Sequence, residues 1–115
     1  MDSARPSVAS MVEAVVGCKW SIGLLGLVAQ GCHRPSALLR AFPGLSAKVM
    51  NERFRKLTAF GVLERRVRGE KPPVEVEYHL TAFGQRFLGI LGEVRRLEAD
   101  LEREVPGDAG SRDVL

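Results

Sequence analysis

Apolar residues recur every three or four positions over five stretches of the 115-residue chain, and this spacing predicts five helices. The predicted helices span residues 8–16, 20–30, 36–42, 46–60 and 82–104. The second of them is apolar on most sides, so we expect it to be buried at the centre of the fold.

Small polar residues and glycines mark the predicted helix ends. Ser7, Ser46 and Thr81 each precede a helix, where a hydroxyl oxygen can accept a hydrogen bond from a free backbone amide. Gly17 and Gly61 follow the first and fourth helices, the position at which glycine commonly ends a helix. These residues therefore set the boundaries of the predicted elements.

Residues 62–67 and 74–80 are rich in β-branched and aromatic residues, and the sequence RGEKPP separates them. This pattern predicts a β-hairpin. Two helices joined by a tight turn and followed by a hairpin describe a winged helix-turn-helix. The predicted fold class is α+β, mostly helical, with one domain over 8–104, a long C-terminal dimerisation helix, and flexible ends at 1–7 and 105–115.

The distribution of charge adds a functional indication. The net charge is only +3, yet residues 34–71 carry ten basic and three acidic groups, whereas residues 72–115 carry five basic and nine acidic groups. Such segregation favours an anionic partner. The sequence shows no apolar run of membrane-spanning length and no signal-peptide pattern, so a cytoplasmic protein without membrane contact is expected.

Three segments resemble the HxlR-type winged helix-turn-helix transcriptional regulators, which are MarR-like. They are GCKWSIGLLGLV, RPSALLRAFPGLSAKVMNERFRKLTAFGVLERRV and PPVEVEYHLTAFGQ, and the resemblance covers roughly residues 10–92. It implies a homodimeric transcription regulator that binds double-stranded DNA at pseudo-palindromic operators.

The chain departs from the family pattern at three places. Gly17 and Cys18 stand where the family has two glycines, and the wing strand PPVEVEY is one residue longer. Many family members also carry a cysteine just before the first helix, but this chain has RPSVAS there. A thiol sensor role therefore does not carry over from the resemblance, and the effector is unknown.

The outward face of the predicted helix 46–60 carries the candidate DNA contacts. Lys48 and Arg55 suit phosphates or guanine edges, and Asn51 suits a bidentate pair with adenine. Ser46 leaves amides at the helix start free to meet a phosphate. Glu52 would repel phosphate unless it reads a cytosine or pairs with a neighbouring lysine. The alternative is an ordinary solvated helix face.

The predicted hairpin supplies a second group of cations. Alternation along the first strand puts Arg66 and Arg68 on one face and Arg65 on the other. Arg68 and Lys71 are best placed to contact the DNA backbone or minor groove, while Arg65 is a candidate to pair with Glu77 across the hairpin. Positive groups on an edge strand also discourage aggregation, which is a structural reason that needs no DNA.

The two cysteines, Cys18 and Cys32, are candidate redox residues or simply a buried and an exposed thiol. At opposite ends of one helix they would lie about 20 Å apart, too far for a disulfide. Cys32, His33 and His79 show no metal-ligand spacing, so no metal is expected. The sequence contains no nucleophile motif and no phosphate-binding loop, so neither an enzyme nor a cofactor is expected.

The final helix has a broader apolar stripe than one small domain is expected to cover. Together with the first helix it is predicted to form a two-fold dimer interface. The candidate interface residues are Val8, Met11, Val12, Phe87, Leu91, Val94, Leu97 and Leu101. The alternative is that these residues pack onto the core of their own domain.

The sequence therefore predicts a sequence-specific DNA-binding regulator that acts as a homodimer. Helix 46–60 is the expected recognition helix in the major groove, and the wing, residues 68–73, is expected on the adjacent backbone or minor groove. The alternative is a winged-helix interaction module whose basic face docks an acidic protein or an RNA.

Overall fold

The computed structural model describes residues 5–18 and 20–104. Its elements are α1 (Val8–Val16), α2 (Ser21–Ala29), α3 (Pro35–Ala41), α4 (Ala47–Ala59), β1 (Leu63–Arg68), β2 (Glu75–Leu80) and α5 (Ala82–Glu104). The five helices and the hairpin match the predicted order, so the winged helix-turn-helix architecture is confirmed. The predicted tail, 105–115, and most of the predicted N-terminal arm lie outside the described residues.

Side-chain caps hold the helix starts as the sequence predicts. Ser7 Oγ accepts a hydrogen bond from the Ser10 amide at 3.1 Å, and Ser46 Oγ accepts one from the Val49 amide at 3.1 Å. Each cap satisfies an amide that has no partner inside the helix. The third helix begins one residue earlier than predicted, at Pro35, because proline has no amide to satisfy and its fixed φ suits a first helical position.

The hydrophobic core surrounds α2, as its apolar composition predicts. Leu24, Leu25 and Val28 of α2 are almost completely inaccessible to solvent. They belong to a single cluster whose other members are Met11, Val15, Leu38, Leu45, Met50, Phe54, Leu57, Phe60, Val62, Leu63, Phe87 and Leu91. Residues from α1, α4, β1 and α5 thus share one core, which fixes α4 relative to the hairpin.

The start of α5 is locked to the segment that leads into β1. Thr81 Oγ1 donates a hydrogen bond to the Gly61 carbonyl at 2.6 Å and accepts one from the Gly84 amide at 2.8 Å. The Thr81 amide donates to the Val62 carbonyl at 3.1 Å. Gly84 permits this approach, because a Cβ there would lie 2.1 Å from the Val62 carbonyl oxygen.

The hairpin is antiparallel, and its register settles which wing residues share a face. Arg66 lies opposite Glu77, and Arg65 lies opposite Tyr78. Directly opposed residues point to the same side of an antiparallel pair, so Arg66 and Arg68 share a face that excludes Arg65. The predicted pairing of Arg65 with Glu77 is therefore wrong, since a one-residue offset puts the two side chains on opposite faces.

The other face of the hairpin packs against α4. The Tyr78 ring stacks on Phe54 of α4, with ring centroids 4.3 Å apart. Phe54 is fully buried and Tyr78 is half-buried. This aromatic contact couples the wing to α4 and holds the two candidate DNA-binding elements in one orientation.

Candidate nucleic-acid interface

The outward face of α4 presents a strip of polar side chains. Lys48, Asn51, Glu52 and Arg55 are all exposed, and their spacing of three or four residues puts them on one side of the helix. The opposite side is buried through Met50, Phe54 and Leu57. The polar strip is therefore presented to solvent by an anchored helix.

The cations of this strip are free of carboxylate partners. Among the described residues, no ion pair involves Lys48, Arg55 or the neighbouring Lys56. Glu52 likewise pairs with neither lysine there. The Ser46 cap satisfies the Val49 amide and leaves the first amides of α4 without a helical acceptor. All these groups are open to an anionic partner.

The wing arginines, by contrast, are held in ion pairs. Arg66 Nε donates to Glu64 Oε2 at 2.8 Å, and Arg68 Nε donates to Glu77 Oε1 at 3.0 Å. Lys71, in the turn between the strands, is exposed and has no carboxylate partner among the described residues. The Arg66–Glu64 pair is exposed on both sides, and such pairs contribute at most about 1 kcal/mol, so a phosphate can displace that carboxylate at small cost. The Glu77 side chain, by contrast, is only 15% exposed.

A cluster at the base of the wing was not foreseen from the sequence. The His33 and His79 rings stack with centroids 3.7 Å apart. His33 Nδ1 bonds to the Tyr78 carbonyl at 2.9 Å, and His79 Nε2 donates to Glu77 Oε1 at 2.9 Å. These hydrogen bonds from His79 and Arg68 lower the pKa of Glu77 to about 2, so this carboxylate is ionised at neutral pH.

Another contact that the sequence did not predict links the wing to the start of α3. Arg34 donates to Glu75 Oε1 at 2.8 Å, and both side chains are about half exposed. The two residues lie 41 positions apart in the chain, so no local sequence pattern predicts their contact. Only the register of β2 against β1 would have placed Glu75 and Glu77 on the face that carries Arg68.

The cysteines do not join this surface. Cys18 and Cys32 are free thiols of intermediate exposure, at the two ends of the segment that contains α2. No group of three or more His, Cys, Asp or Glu side chains within residues 5–18 and 20–104 is arranged to hold a metal ion.

The candidate dimer residues divide into buried and exposed sets. Met11, Phe87 and Leu91 belong to the core of this chain and are at most 2% exposed. Leu97 is 70% exposed, and Val8 and Leu101 are each 42% exposed. Ile90, which the sequence argument did not select, is 45% exposed on the same helix. On the two helices predicted to form the interface, the exposed apolar side chains therefore lie on α1 and on α5 from Ile90 onward.

The family model for HxlR-like helix-turn-helix proteins matches residues 15–105. The chain belongs to this family. The resemblance found in the sequence is thereby confirmed, and the HxlR-like protein is a transcriptional regulator with a winged helix-turn-helix DNA-binding fold.

Two uncharacterized HTH-type transcriptional regulators are similar to this HxlR-like protein. YtcD of Bacillus subtilis strain 168 is 35% identical over 105 residues, which cover 91% of this chain and 82% of YtcD. The protein sll1512 of Synechocystis sp. PCC 6803 is 41% identical over 87 residues, which cover 75% of this chain. The match spans 64% of the Synechocystis protein's own length.

Solved structures share the fold. The YtcD structure aligns at 30% identity with a TM-score of 0.71, covering 86% of this chain and 100% of that chain. A protein from Enterococcus faecalis V583, described as a regulator of the MarR family, aligns at 22% identity with a TM-score of 0.73. That alignment covers 90% of this chain and 96% of the other, and it shows a common fold alone.

In residues 5–18 and 20–104 of the HxlR-like protein, no single helix has both the length and the apolar character needed to cross a membrane.

Proposed function

We propose that this HxlR-like protein regulates transcription as a cytoplasmic homodimer that binds a pseudo-palindromic operator. The observation that carries the proposal is the polar strip of α4, whose cations Lys48 and Arg55 have no carboxylate partner among the described residues. Phe54 and Tyr78 hold this strip beside the cationic wing. Two such units related by a two-fold axis would place α4 in successive major grooves about 34 Å apart.

The side chains divide the work by their chemistry. Lys48, Arg55 and Lys71 contact phosphates, which supply affinity but no sequence information. Asn51 reads an adenine through its amide, and Glu52 accepts a hydrogen bond from a cytosine amino group. The free amides behind Ser46 meet a phosphate at the positive end of the α4 dipole.

The wing contributes after an exchange of partners. Arg66 and Arg68 leave Glu64 and Glu77 and turn to the DNA backbone or minor groove. The exchange is favourable for Arg66 because its pair with Glu64 is exposed and weak, whereas a phosphate at the duplex surface releases a condensed counterion when it is neutralised. Arg68 leaves a carboxylate that is only 15% exposed, and His79 continues to satisfy that carboxylate.

The homodimer is supported by the exposed apolar surface of α1 and α5. Grooves of about 400 and 200 Å³ run along this surface, and Ile90 lines both of them. The 23 residues of α5 extend about 34 Å, and every residue from 95 to 104, at its C-terminal end, is exposed. A helical segment without tertiary contacts is marginal in water, so a second copy packed on Val94, Leu97 and Leu101 would stabilise it. Met11, Phe87 and Leu91 support this interface from the core beneath it.

Fluorescence anisotropy with a labelled fragment of the gene's own upstream region tests the proposal. Five cationic contacts per protomer, from Lys48, Arg55, Arg66, Arg68 and Lys71, give about ten per dimer and a slope of log K against log salt of about −9. Tight binding that resists random-sequence competitor is the expected result. Binding that random DNA abolishes would leave only a basic surface. Preference for RNA or an acidic protein would instead make the chain an interaction module.

A further inference from the structure

The only two histidines of the chain, His33 and His79, are stacked on each other at the base of the wing. They are far apart in sequence, on the loop after α2 and on β2, and the DNA-binding surface described above does not use either ring. A cavity of about 170 Å³ opens beside them, lined by Val28, Ala29, His33, Arg66, His79, Leu80 and Gln85. Both rings are therefore accessible to solvent protons.

One carboxylate oxygen links this histidine pair to the wing. Glu77 Oε1 accepts hydrogen bonds from His79 Nε2 at 2.9 Å and from Arg68 Nε at 3.0 Å. The His79 and Glu77 side chains are 16% and 15% exposed, whereas the Arg68 side chain is 57% exposed. The two donors thus share one acceptor, and His79 is the better shielded of the two.

We propose that the His33–His79 pair is a proton-binding site that sets the availability of Arg68 for DNA phosphate. Histidine is the side chain whose charge ordinarily changes between about pH 5 and 8. When His79 gains a proton, its contact with Glu77 becomes a full ion pair, and the carboxylate then faces two cations. The shielded imidazolium keeps the carboxylate, because water screens the exposed guanidinium more strongly. Arg68 turns outward, and DNA binding is coupled to proton uptake. This inference rests on the proposed DNA-binding function.

The charged groups around the pair are few and mostly neutralised. On β1, Arg66 lines the cavity but is paired with Glu64, and Arg68 is the competing donor already described. At the start of α3, Arg34 is paired with Glu75 of β2. The cavity residues from α2 and α5 carry no charge. Glu77 is therefore the carboxylate that responds to the proton.

The coupling is measured with a labelled mixed-sequence duplex of about 30 base pairs at low salt, long enough for two half-sites about one turn apart. Phosphate contacts are independent of sequence, so the operator need not be known. One freed cation per wing is worth about threefold in Kd, so the dimer should bind about tenfold more tightly at pH about 6 than at pH about 8.

Three variants identify the groups. His79→Gln keeps a donor for Glu77 near the position of Nε2 without a titratable proton, so it should bind like the wild type at pH 8 and gain nothing at pH 6. Glu77→Gln frees Arg68 at both pH values, so it should bind tightly throughout. Arg68→Ala should bind weakly and without the pH response. An unchanged pH response in His79→Gln would overturn the inference.

A second measurement separates this inference from the proposed function. If the wild type binds no duplex at either pH, the proposed function fails, and NMR of the free protein then decides the inference. The Arg68 Nε–H signal should shift on acidification in step with the His79 ring protons. An Arg68 signal that is unchanged while the His79 ring titrates would overturn the coupling, whether or not DNA binds.

Discussion

A methyl group at Gly84 would clash with the backbone of Val62, at the junction between the wing and α5. The added Cβ of Gly84→Ala would lie 2.1 Å from the Val62 carbonyl oxygen and 3.0 Å from the Val62 carbonyl carbon. Real Cβ atoms essentially never approach within 3.0 Å, and both neighbours are backbone atoms that no rotamer change removes. The start of α5 or the segment leading into β1 must therefore move by about 1 Å.

The movement has a cost that follows from the contacts at this junction. Val62 O accepts the Thr81 amide at 3.1 Å and the Thr81 hydroxyl at 3.2 Å, so displacing it weakens both hydrogen bonds. Overpacking costs about 1–3 kcal/mol and each of the two weakened hydrogen bonds about 1 kcal/mol, while the gain in helix propensity returns about 1 kcal/mol. Together they predict a loss of about 2–4 kcal/mol, equivalent to a fall in Tm of about 10–20 °C.

Thermal unfolding by circular dichroism, with Gly89→Ala as the matched control, tests this estimate. A Cβ at Gly89 meets nothing within 4 Å, so the control changes only helix propensity in the same helix and should raise stability by up to about 1 kcal/mol. A Gly84→Ala variant with a Tm equal to or above that of the wild type would show that the α5–wing junction is not as tightly packed as argued.

Three further predictions address the proposed surfaces. Arg55→Ala should weaken duplex binding about fivefold and reduce the magnitude of the dimer's salt slope by about 2, because each protomer loses one phosphate contact. The control Arg95→Ala, on the far part of α5, should change neither the affinity nor the slope. An unchanged slope in Arg55→Ala would remove Arg55 from the interface. Leu97→Glu should convert the dimer to a monomer in analytical ultracentrifugation, because it puts a charge on the apolar surface of α5, where Leu97 is 70% exposed in the single chain. A variant that still dimerises with normal affinity would show that the dimer contact lies elsewhere. Glu77 should stabilise the fold above about pH 4.5 and lose that contribution as the pH falls towards about 2, because its pKa is lowered from 4.5 to about 2. The stability of Glu77→Gln, measured by acid unfolding, should lack this dependence on pH. Identical acid-unfolding profiles for the variant and the wild type would contradict the lowered pKa of Glu77.

Local patterns in the sequence were sufficient for the elements and their faces. The apolar spacing of α4 separates Met50, Phe54 and Leu57 from the exposed strip that starts at Lys48, and a helix keeps that separation in any tertiary setting. The caps at Ser7, Ser46 and Thr81 were predictable for the same reason, since each acts on an amide two or three residues away.

The apolar stripe of α5 marks the limit of this reasoning. Periodicity puts Phe87, Leu91, Leu97 and Leu101 on related positions and does not distinguish them. In the structure the first two are buried in the core that surrounds α2, and the last two are exposed, because the core ends before the helix does. The position at which α5 extends beyond the hydrophobic core depends on the packing of the whole fold.

Only the tertiary structure decided the partners of the wing. The sequence predicts that Arg66 and Arg68 share a face, and it also makes Arg65 a candidate partner of Glu77. In the structure Glu77 accepts hydrogen bonds from Arg68 and His79 instead. The reason is physical: side-chain direction repeats every two residues along a strand and can be read locally, whereas the register between strands depends on the turn and on packing. The stacking of His33 on His79 depends on a contact between residues 46 positions apart, which no local pattern specifies.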